Sequence, residues 1–312
     1  MSVSGVSASL SGSFTGGRAT LRGTSGAAQA SIAAAADRLA RANSAVASGQ
    51  KIQRPSDDVV GADRALELRR ALAAEDRFSN ANGDAISWLG TTDTALQRGV
   101  SLLHTARDLA VQAGSDANSS IGREAIAKQI RTLRDDMLAT ANTTYLGRPV
   151  FGGTTGAPVA FSVDGAGVVT PSPGADGQVQ RSLAPGVDVR VDTTGTDAFG
   201  DGDASVFAVL DRLATAVTTG STASSAMLGE LDGALGRLTT SLADVGTRYS
   251  RVQSLQVTGT QRELSLTSAK QDVEEVDLAK ALMELAAQDK AYQAALGAAA
   301  KVVTPSIMDF LR

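Results

Sequence analysis

Residues 278–299 read LAKALMELAAQDKAYQAALGAA, and residues 32–46 read IAAAADRLARANSAV. In the first stretch Leu278, Leu282, Leu285, Tyr292, Leu296 and Ala299 share one face, with Asp289 as a polar interruption. In the second, Ile32, Ala35, Leu39, Ala42 and Val46 recur at three- and four-residue steps. Such spacing lays one apolar seam along each helix. A seam on a terminal helix needs a partner helix to bury it. The two ends are therefore expected to pack on each other, or on copies of the chain, while the middle projects away. That layout suits a building block better than an enzyme.

Composition narrows the function classes. The chain has 312 residues and a hydrophobic share of 43%, but aromatics make up only 4%. Much of the apolar content is alanine, which suits close helix packing and fills a wide core poorly. The formal net charge is −4, so there is no basic field to hold nucleic acid or an anionic membrane. No apolar run approaches the ~20 residues that span a bilayer, and no membrane insertion is expected. The opening Met1-Ser2-Val3-Ser4-Gly5 has neither a basic n-region nor an apolar h-region, so a cleaved Sec-type signal is not expected. There is no cysteine and a single histidine, His104. Disulfides, thiolate chemistry and His/Cys zinc sites are thereby removed. His104 sits beside Leu102 and Leu103 on a predicted helix and reads as a surface residue.

Residues 1–28 are rich in Ser, Gly, Thr and Ala, with Phe14, Leu21 and Ala28 as a sparse extension of the N-terminal seam. Glycine destabilises a helix by up to ~1 kcal/mol relative to alanine, so this stretch is expected to order only on assembly. Helix is predicted from about residue 30 to residue 48, with Gly49 as the left-handed C′ residue. Pro55 then disfavours helix at Arg54. Ser56 is the expected N-cap of the next helix, with Asp57 and Asp58 in its first turn. That helix carries Leu66, Leu72 and Phe78, then Leu89, Leu96, Val100, Leu103 and Ala110, with Gly83 and Gly90 as soft spots and a break near Gly114. A further helix over about 122–143 places Ile126, Ile130, Leu133, Met137 and Thr140 on one face.

At Gly147 the composition changes. Twelve of the 32 glycines and five of the seven prolines fall between Gly147 and Gly202. From Pro149 to Asp203 there is no lysine, two arginines (Arg181 and Arg190) and seven aspartates. Alternating runs such as Val187-Asp188-Val189-Arg190-Val191 read as strands, and Gly165, Gly167, Gly177 and Gly186 as turns. Helix is expected again from Asp203 to about Thr218. After a polar gap, a long helical region runs to about Val303, where Pro305 ends it. Ile307, Met308, Phe310 and Leu311 form an apolar tail.

No catalytic or cofactor site can be assembled. Gly152-Gly153-Thr154-Thr155-Gly156 lacks the Gly-Lys-Ser/Thr of a phosphate loop, and there is no Gly-x-Ser-x-Gly elbow. Counted from Asp201, an EF-hand needs glycine at position six and glutamate at twelve, where Val206 and Arg212 stand. Asp201 and Asp203 read instead as helix caps. The paired carboxylates Asp135-Asp136 and Glu274-Glu275 point in different directions on a helix and read as solvated. With few aromatics and no basic patch there is no platform for single-stranded nucleic acid.

Several segments carry a resemblance. Ser48-Gly49-Gln50-Lys51-Ile52-Gln53-Arg54-Pro55-Ser56-Asp57-Asp58 resembles the Ser/Thr-Gly-x-x-Ile-x-x-Pro-Ser-Asp-Asp stretch of the flagellin superfamily, and residues 275–312 resemble its terminal helix. Ala141-Asn142-Thr143-Thr144-Tyr145-Leu146-Gly147-Arg148-Pro149-Val150-Phe151-Gly152-Gly153-Thr154 resembles the entry to the β domain in the hook-associated protein 3 branch of that superfamily. Val187-Asp188-Val189, Gly195-Thr196-Asp197-Ala198-Phe199-Gly200 and Val206-Phe207-Ala208-Val209-Leu210 resemble its exit. The ending Pro305-Ser306-Ile307-Met308-Asp309-Phe310-Leu311-Arg312 is also similar to that branch. The first 28 residues are smaller and more polar than the family pattern.

The resemblance implies a structural protein of the bacterial flagellum, extracellular and exported without a cleaved signal peptide through the flagellar type III channel. It implies a junction ring between hook and filament, with self-assembly (ring or helical), hook-associated protein 1, flagellin and a flagellar export chaperone as partners. The alternative is flagellin, the filament-forming subunit. The expected fold is mainly α, with long terminal coiled-coil helices, a helical bundle rod and an inserted small β-rich domain. Residues 1–50 with 256–312 would form an inner coiled-coil layer, 51–146 with 204–255 a rod, and 147–203 an outer β-rich domain. The expected assembly interface is Ile32, Leu39, Val46, Leu278, Leu282, Leu285, Tyr292, Leu296, Ala299, Phe310 and Leu311. Arg54, Pro55, Ser56, Asp57 and Asp58 would form an inter-layer turn. No catalytic, cofactor or metal residue is expected.

Overall fold

The computed structural model describes residues 16–114, 119–219 and 227–303, with side chains from residue 26 to residue 301. Long helices dominate: α1 (Gly16–Ser48), α2 (Val59–Ala113), α3 (Ser120–Ala141), α4 (Gly195–Phe199), α5 (Val206–Thr219), α6 (Leu228–Glu274) and α7 (Leu278–Val303). Between α3 and α4 lie six short strands: β1 (Thr144–Tyr145), β2 (Arg148–Pro149), β3 (Phe161–Val163), β4 (Val169–Pro171), β5 (Gln180–Ala184) and β6 (Val187–Arg190). The mainly α fold with a small β-rich insertion is thus the one expected.

The chain divides into two compact units, Met1–Arg70 with Leu266–Arg312, and Ala71–Ser265. Helices α2 and α6 each run from one unit into the other. In the second unit the bundle core is built from Leu89, Leu96, Leu103, Ile130, Met137, Leu210, Leu213, Leu238, Val245 and Val252, all 1% exposed or less. These positions repeat at helical spacing on four helices, so each contributes one apolar stripe to a common interior. Fully burying such a side chain stabilises by about 1.5–3 kcal/mol. The soft spots expected at Gly83 and Gly90 do not interrupt α2, whose buried neighbours Ala85, Trp88 and Leu89 hold it on the core.

The β-rich insertion is three separate antiparallel pairs, β1–β2, β3–β4 and β5–β6, not one sheet. Two-stranded ladders are marginal alone, and here they are held by what lies beneath them. Phe151 and Phe199 meet edge to face at 5.0 Å, and Phe161 meets Phe207 at 5.2 Å. Asn142, the C-cap of α3, clamps β3 on both sides: its Nδ2 donates to the Phe161 carbonyl at 2.9 Å and its Oδ1 accepts from the Phe161 amide at 2.8 Å. Asn82 on α2 donates to the Leu183 carbonyl at 3.0 Å.

Several boundaries differ from those read in the sequence. Helix already begins at Gly16, so residues 16–28 are not the disordered stretch expected. Helix α5 starts at Val206 rather than Asp203, because residues 202–204 form a 3-10 turn capped by Asp201, whose Oδ1 accepts from the Gly202 amide at 2.7 Å. The long C-terminal helix is two helices, broken at residues 275–277. There Asp277 Oδ1 accepts from the amides of Ala279 at 3.0 Å and Lys280 at 3.1 Å, capping α7. No helix among the described residues is long and apolar enough to cross a membrane.

Candidate assembly interface

The first unit is built around α1 and α7, which pack along one another. Their connections fix the pairing. Gly49 adopts φ +69°, ending α1 as a C′ glycine, and its amide donates to the Ala45 carbonyl at 2.9 Å. Beyond it the chain is extended and meets the break between α6 and α7. Gln50 and Glu275 form an antiparallel bridge, with Lys51 donating to Glu274 at 2.7 Å and Val276 donating to Gly49 at 3.0 Å. Helix α1 therefore arrives at the bridge where α7 leaves it, and the two run antiparallel.

The seam residues lie on this pair but are incompletely covered. Ile32, Leu39, Val46, Leu285, Tyr292 and Ala299 are half-buried. Leu278 remains 54% exposed, Leu282 49% and Leu296 41%. Among the described residues, the most buried apolar side chains of the two helices are alanines, Ala35 on α1 and Ala281 on α7, and the larger side chains stay partly exposed. Leu39, Leu282, Leu285 and Tyr292, with Ala36, Ala40 and Ala286, line an open groove of about 670 Å³. Asp289 and Asn43 stand at the same groove. A further four or so apolar side chains from elsewhere would fill such a trough at protein packing density. Phe310 and Leu311 lie outside the described residues.

The turn that follows α1 is organised by its two aspartates. Asp57 Oδ2 accepts from the amides of Arg54 at 2.9 Å and Gln53 at 3.3 Å. Asp58 Oδ1 accepts from the Gly61 amide at 2.9 Å, and α2 begins at Val59. The N-cap is thus Asp58, not Ser56, which is exposed together with Arg54, Pro55 and Asp57. Two positions missed in the sequence belong to this turn. A Cβ on Gly61 would sit 2.5 Å from Asp58 Oδ2 and 2.5 Å from Ile52 Cδ1, so any larger residue there must push the capping side chain and Ile52 aside. Glu274, read as solvated, is buried at 5% exposure and pairs with Arg69 Nε at 2.8 Å. Its burial follows from the bridge: the same residue gives its carbonyl to Lys51, which draws its backbone against the turn.

His104, on α2 in the second unit, is exposed. Among the described residues no group of three or more His, Cys, Asp or Glu is placed to hold a metal ion. What the arrangement offers is surface: an apolar groove between two long helices.

Comparison with known proteins agrees with that character. The family model for the bacterial flagellin N-terminal helical region matches residues 22–155. Flagellar hook-associated protein 3 of Escherichia coli strain K12 is 27% identical over 270 residues, covering 80% of this chain and 85% of that one. Flagellin of Bacillus subtilis strain 168 is 25% identical over 256 residues, 77% of this chain and 81% of that one. The crystal structure of the flagellar junction protein FlgL from Legionella pneumophila superposes with a TM-score of 0.57 at 15% identity, covering 68% of this chain and all of that one. At that identity the likeness is one of fold.

Proposed function

For this flagellin-superfamily protein, similar to hook-associated protein 3 over 80% of its length, we propose the role of a structural subunit at the hook–filament junction of the bacterial flagellum. The observation that supports it is the groove on α1 and α7. Leucines along one face remain half-exposed at the edge of a paired helix, and burying them requires more helices of the same kind. The same pair from neighbouring copies supplies them. Residues 1–50 with 256–312 then form the inner layer, 51–146 with 204–255 the rod, and 147–203 the outward module. Copies related head to tail present a different face at each end, so an assembly extends until another protein caps it. Hook-associated protein 1 on one side, flagellin on the other and an export chaperone before assembly are the partners in this reading. In this reading the protein works outside the cell, in the flagellum.

A second reading, flagellin itself, has the likeness to Bacillus subtilis flagellin in its favour. Negative-stain microscopy of the purified chain, alone and with filament seeds, separates the two. The junction role predicts no long filaments from the chain alone and decoration of filament ends when seeds are added. Long filaments from the chain alone would make flagellin the correct reading. Compact particles that ignore filament ends would remove both.

A further inference from the structure

Two polar residues interrupt the apolar line that α2 turns toward α6, and one of them faces a gap. Within the second unit the heptad line on α2 is Glu75, Asn82, Leu89, Leu96, Leu103 and Ala110, none more than 5% exposed. On α6 it is Leu231, Leu238, Val245, Val252 and Gly259, of which the first four are buried. The two helices run antiparallel in one register. Arg107 Nε meets Asp232 at 3.1 Å, a Cβ on Gly99 would lie 3.6 Å from Leu238, and Glu75 meets Arg262 at 3.3 Å. By the heptad spacing Leu89 is then level with Val245, Leu96 with Leu238 and Leu103 with Leu231, and Glu75 is level with Gly259.

Glu75 and Gly259 are each unfavourable alone and complementary together. Glutamate is almost never fully buried unless paired, and glycine inside a helix is disfavoured against alanine. A Cβ on Gly259 would lie 2.9 Å from Glu75 Oε1, and among the described residues outside α6 Glu75 alone comes within 4 Å of that point. The carboxylate therefore occupies the space that a side chain at position 259 would take. Arg262, one turn along α6 and half-exposed, reaches it with Nη1, 3.4 Å from Oε1 and 3.3 Å from Oε2. Asn82, the other polar residue of the line, is used differently: its Nδ2 donates to the Leu183 carbonyl and ties α2 to the β-rich insertion.

The apolar layers do not choose a register by themselves. Slid by one heptad, α6 sets Leu89 level with Leu238 and Leu96 with Leu231, which are still apolar pairs. Glu75 would then be level with Val252, and the place of Arg262 would pass to Leu255. Arg248, four residues from Val252, is engaged with the Asp192 carbonyl. The slid register would bury a carboxylate beside valine and leucine and leave the gap at Gly259 without its occupant. We propose that Glu75, seated in the gap at Gly259 and paired with Arg262, fixes the register of α6 against α2, at a cost in stability. A polar residue at one buried seam position acts this way in coiled coils. The lock operates within a single chain and is independent of the junction reading.

The chain has no cysteine, so Ser101→Cys on α2 and Ser254→Cys on α6, both exposed, place one spin label on each helix of the full chain. The two sites stand about 27 Å apart along the helix axes at 1.5 Å per residue, and a slip of one heptad changes that by about 10 Å. Pulsed electron–electron double resonance should give one narrow distance in the labelled parent. In an E75L/G259L background the Glu75 layer becomes apolar, and half-exposed Arg262 can turn to water. Its melting temperature should equal or exceed that of the labelled parent, while its distance distribution splits, with a component displaced by about 10 Å. E75Q keeps the length of the side chain and an acceptor oxygen in the gap, and should keep the single distance with a lower melting temperature. A single parental distance in folded E75L/G259L would overturn the lock. Loss of helical circular dichroism in E75L/G259L would overturn it too, by making the pair a requirement for stability instead of register. A split in E75Q as wide as in E75L/G259L would overturn the fit in the gap as what sets the register.

Discussion

The backbone amide of Lys51 donates to the carbonyl of Glu274 at 2.7 Å. This bond joins two chain segments more than two hundred residues apart, at the level where both the α1–α2 and α6–α7 connections leave helical geometry. The same glutamate, its side chain 7% exposed, sets its carboxylate against Arg69 at 2.8 Å. Backbone and side chain of one residue therefore hold the bridge. Arg69→Ala should leave a buried carboxylate with no cation. Arg69 is itself half-exposed, at 54%, so water moderates the loss to about 1–2 kcal/mol, below the 3–5 kcal/mol of a fully buried pair. Hydrogen exchange should show faster opening at the Lys51 and Val276 amides, with the amides of α3 and α5 unchanged. Unchanged protection at Lys51 would remove the pair from the bridge.

Gly61 and Gly83 both lie within α2 and should respond oppositely to alanine. At Gly61 the new Cβ meets Asp58 Oδ2 and Ile52 Cδ1 at 2.5 Å, so the cap must move. Losing a cap costs about 1 kcal/mol, and displacing Ile52 adds to it. At Gly83 nothing lies within 4 Å of the added atom. Gly83→Ala should therefore stabilise by about 0.5–1 kcal/mol through helix propensity. Thermal unfolding of the two variants should show shifts of opposite sign.

What the sequence made legible was periodic. The seams of Ile32 to Val46 and Leu278 to Ala299 declare paired helices, and the glycine-rich stretch after Gly147 declares turns. What it hid was pairing over long distance and choice among equals. Ser56, Asp57 and Asp58 are all competent caps, and only the position of Gly61 and Ile52 selects Asp58. The break at residues 275–277 carries no proline or glycine, so no local signal marks it; the bridge to Gln50 supplies the hydrogen bonds that the interrupted helix gives up. The burial of Glu274 is equally silent, because its partner Arg69 lies on a different helix. For the candidate interface, residues on the seam could be named, but which stay open depends on how closely the alanine faces meet.

Asn142 ties the end of α3 to the β3–β4 pair. Its amide satisfies both backbone groups of Phe161, and Phe161 sits in the aromatic cluster with Phe199 and Phe207. Asn142→Ala should remove two hydrogen bonds and leave a donor and an acceptor unmet, costing about 2–3 kcal/mol. Asn142→Asp should cost at least as much, since a carboxylate oxygen would face the Phe161 carbonyl. Denaturant unfolding followed by near-ultraviolet circular dichroism reads the aromatic cluster directly. Both variants should lower the midpoint.

Leu285 is the residue on which the junction reading turns. It is half-buried and lines the α1–α7 groove with Leu39, Leu282 and Tyr292. Leu285→Asp places a carboxylate in the part of the seam already covered, which should loosen the pair in the isolated chain by about 1–3 kcal/mol. In an assembly, where the groove is filled, desolvation of that charge is more complete, and end-binding to filaments should be lost. The Ala71–Ser265 unit contains none of these residues, so its melting should not move. Met283 is the control: it is more exposed, at 68%, and lies off the seam. Met283→Asp should leave end-binding within about threefold of the parent, an effect below 1 kcal/mol. If Leu285→Asp bound filament ends and supported motility as well as the parent, or if the two variants behaved alike, the groove would not be the assembly surface.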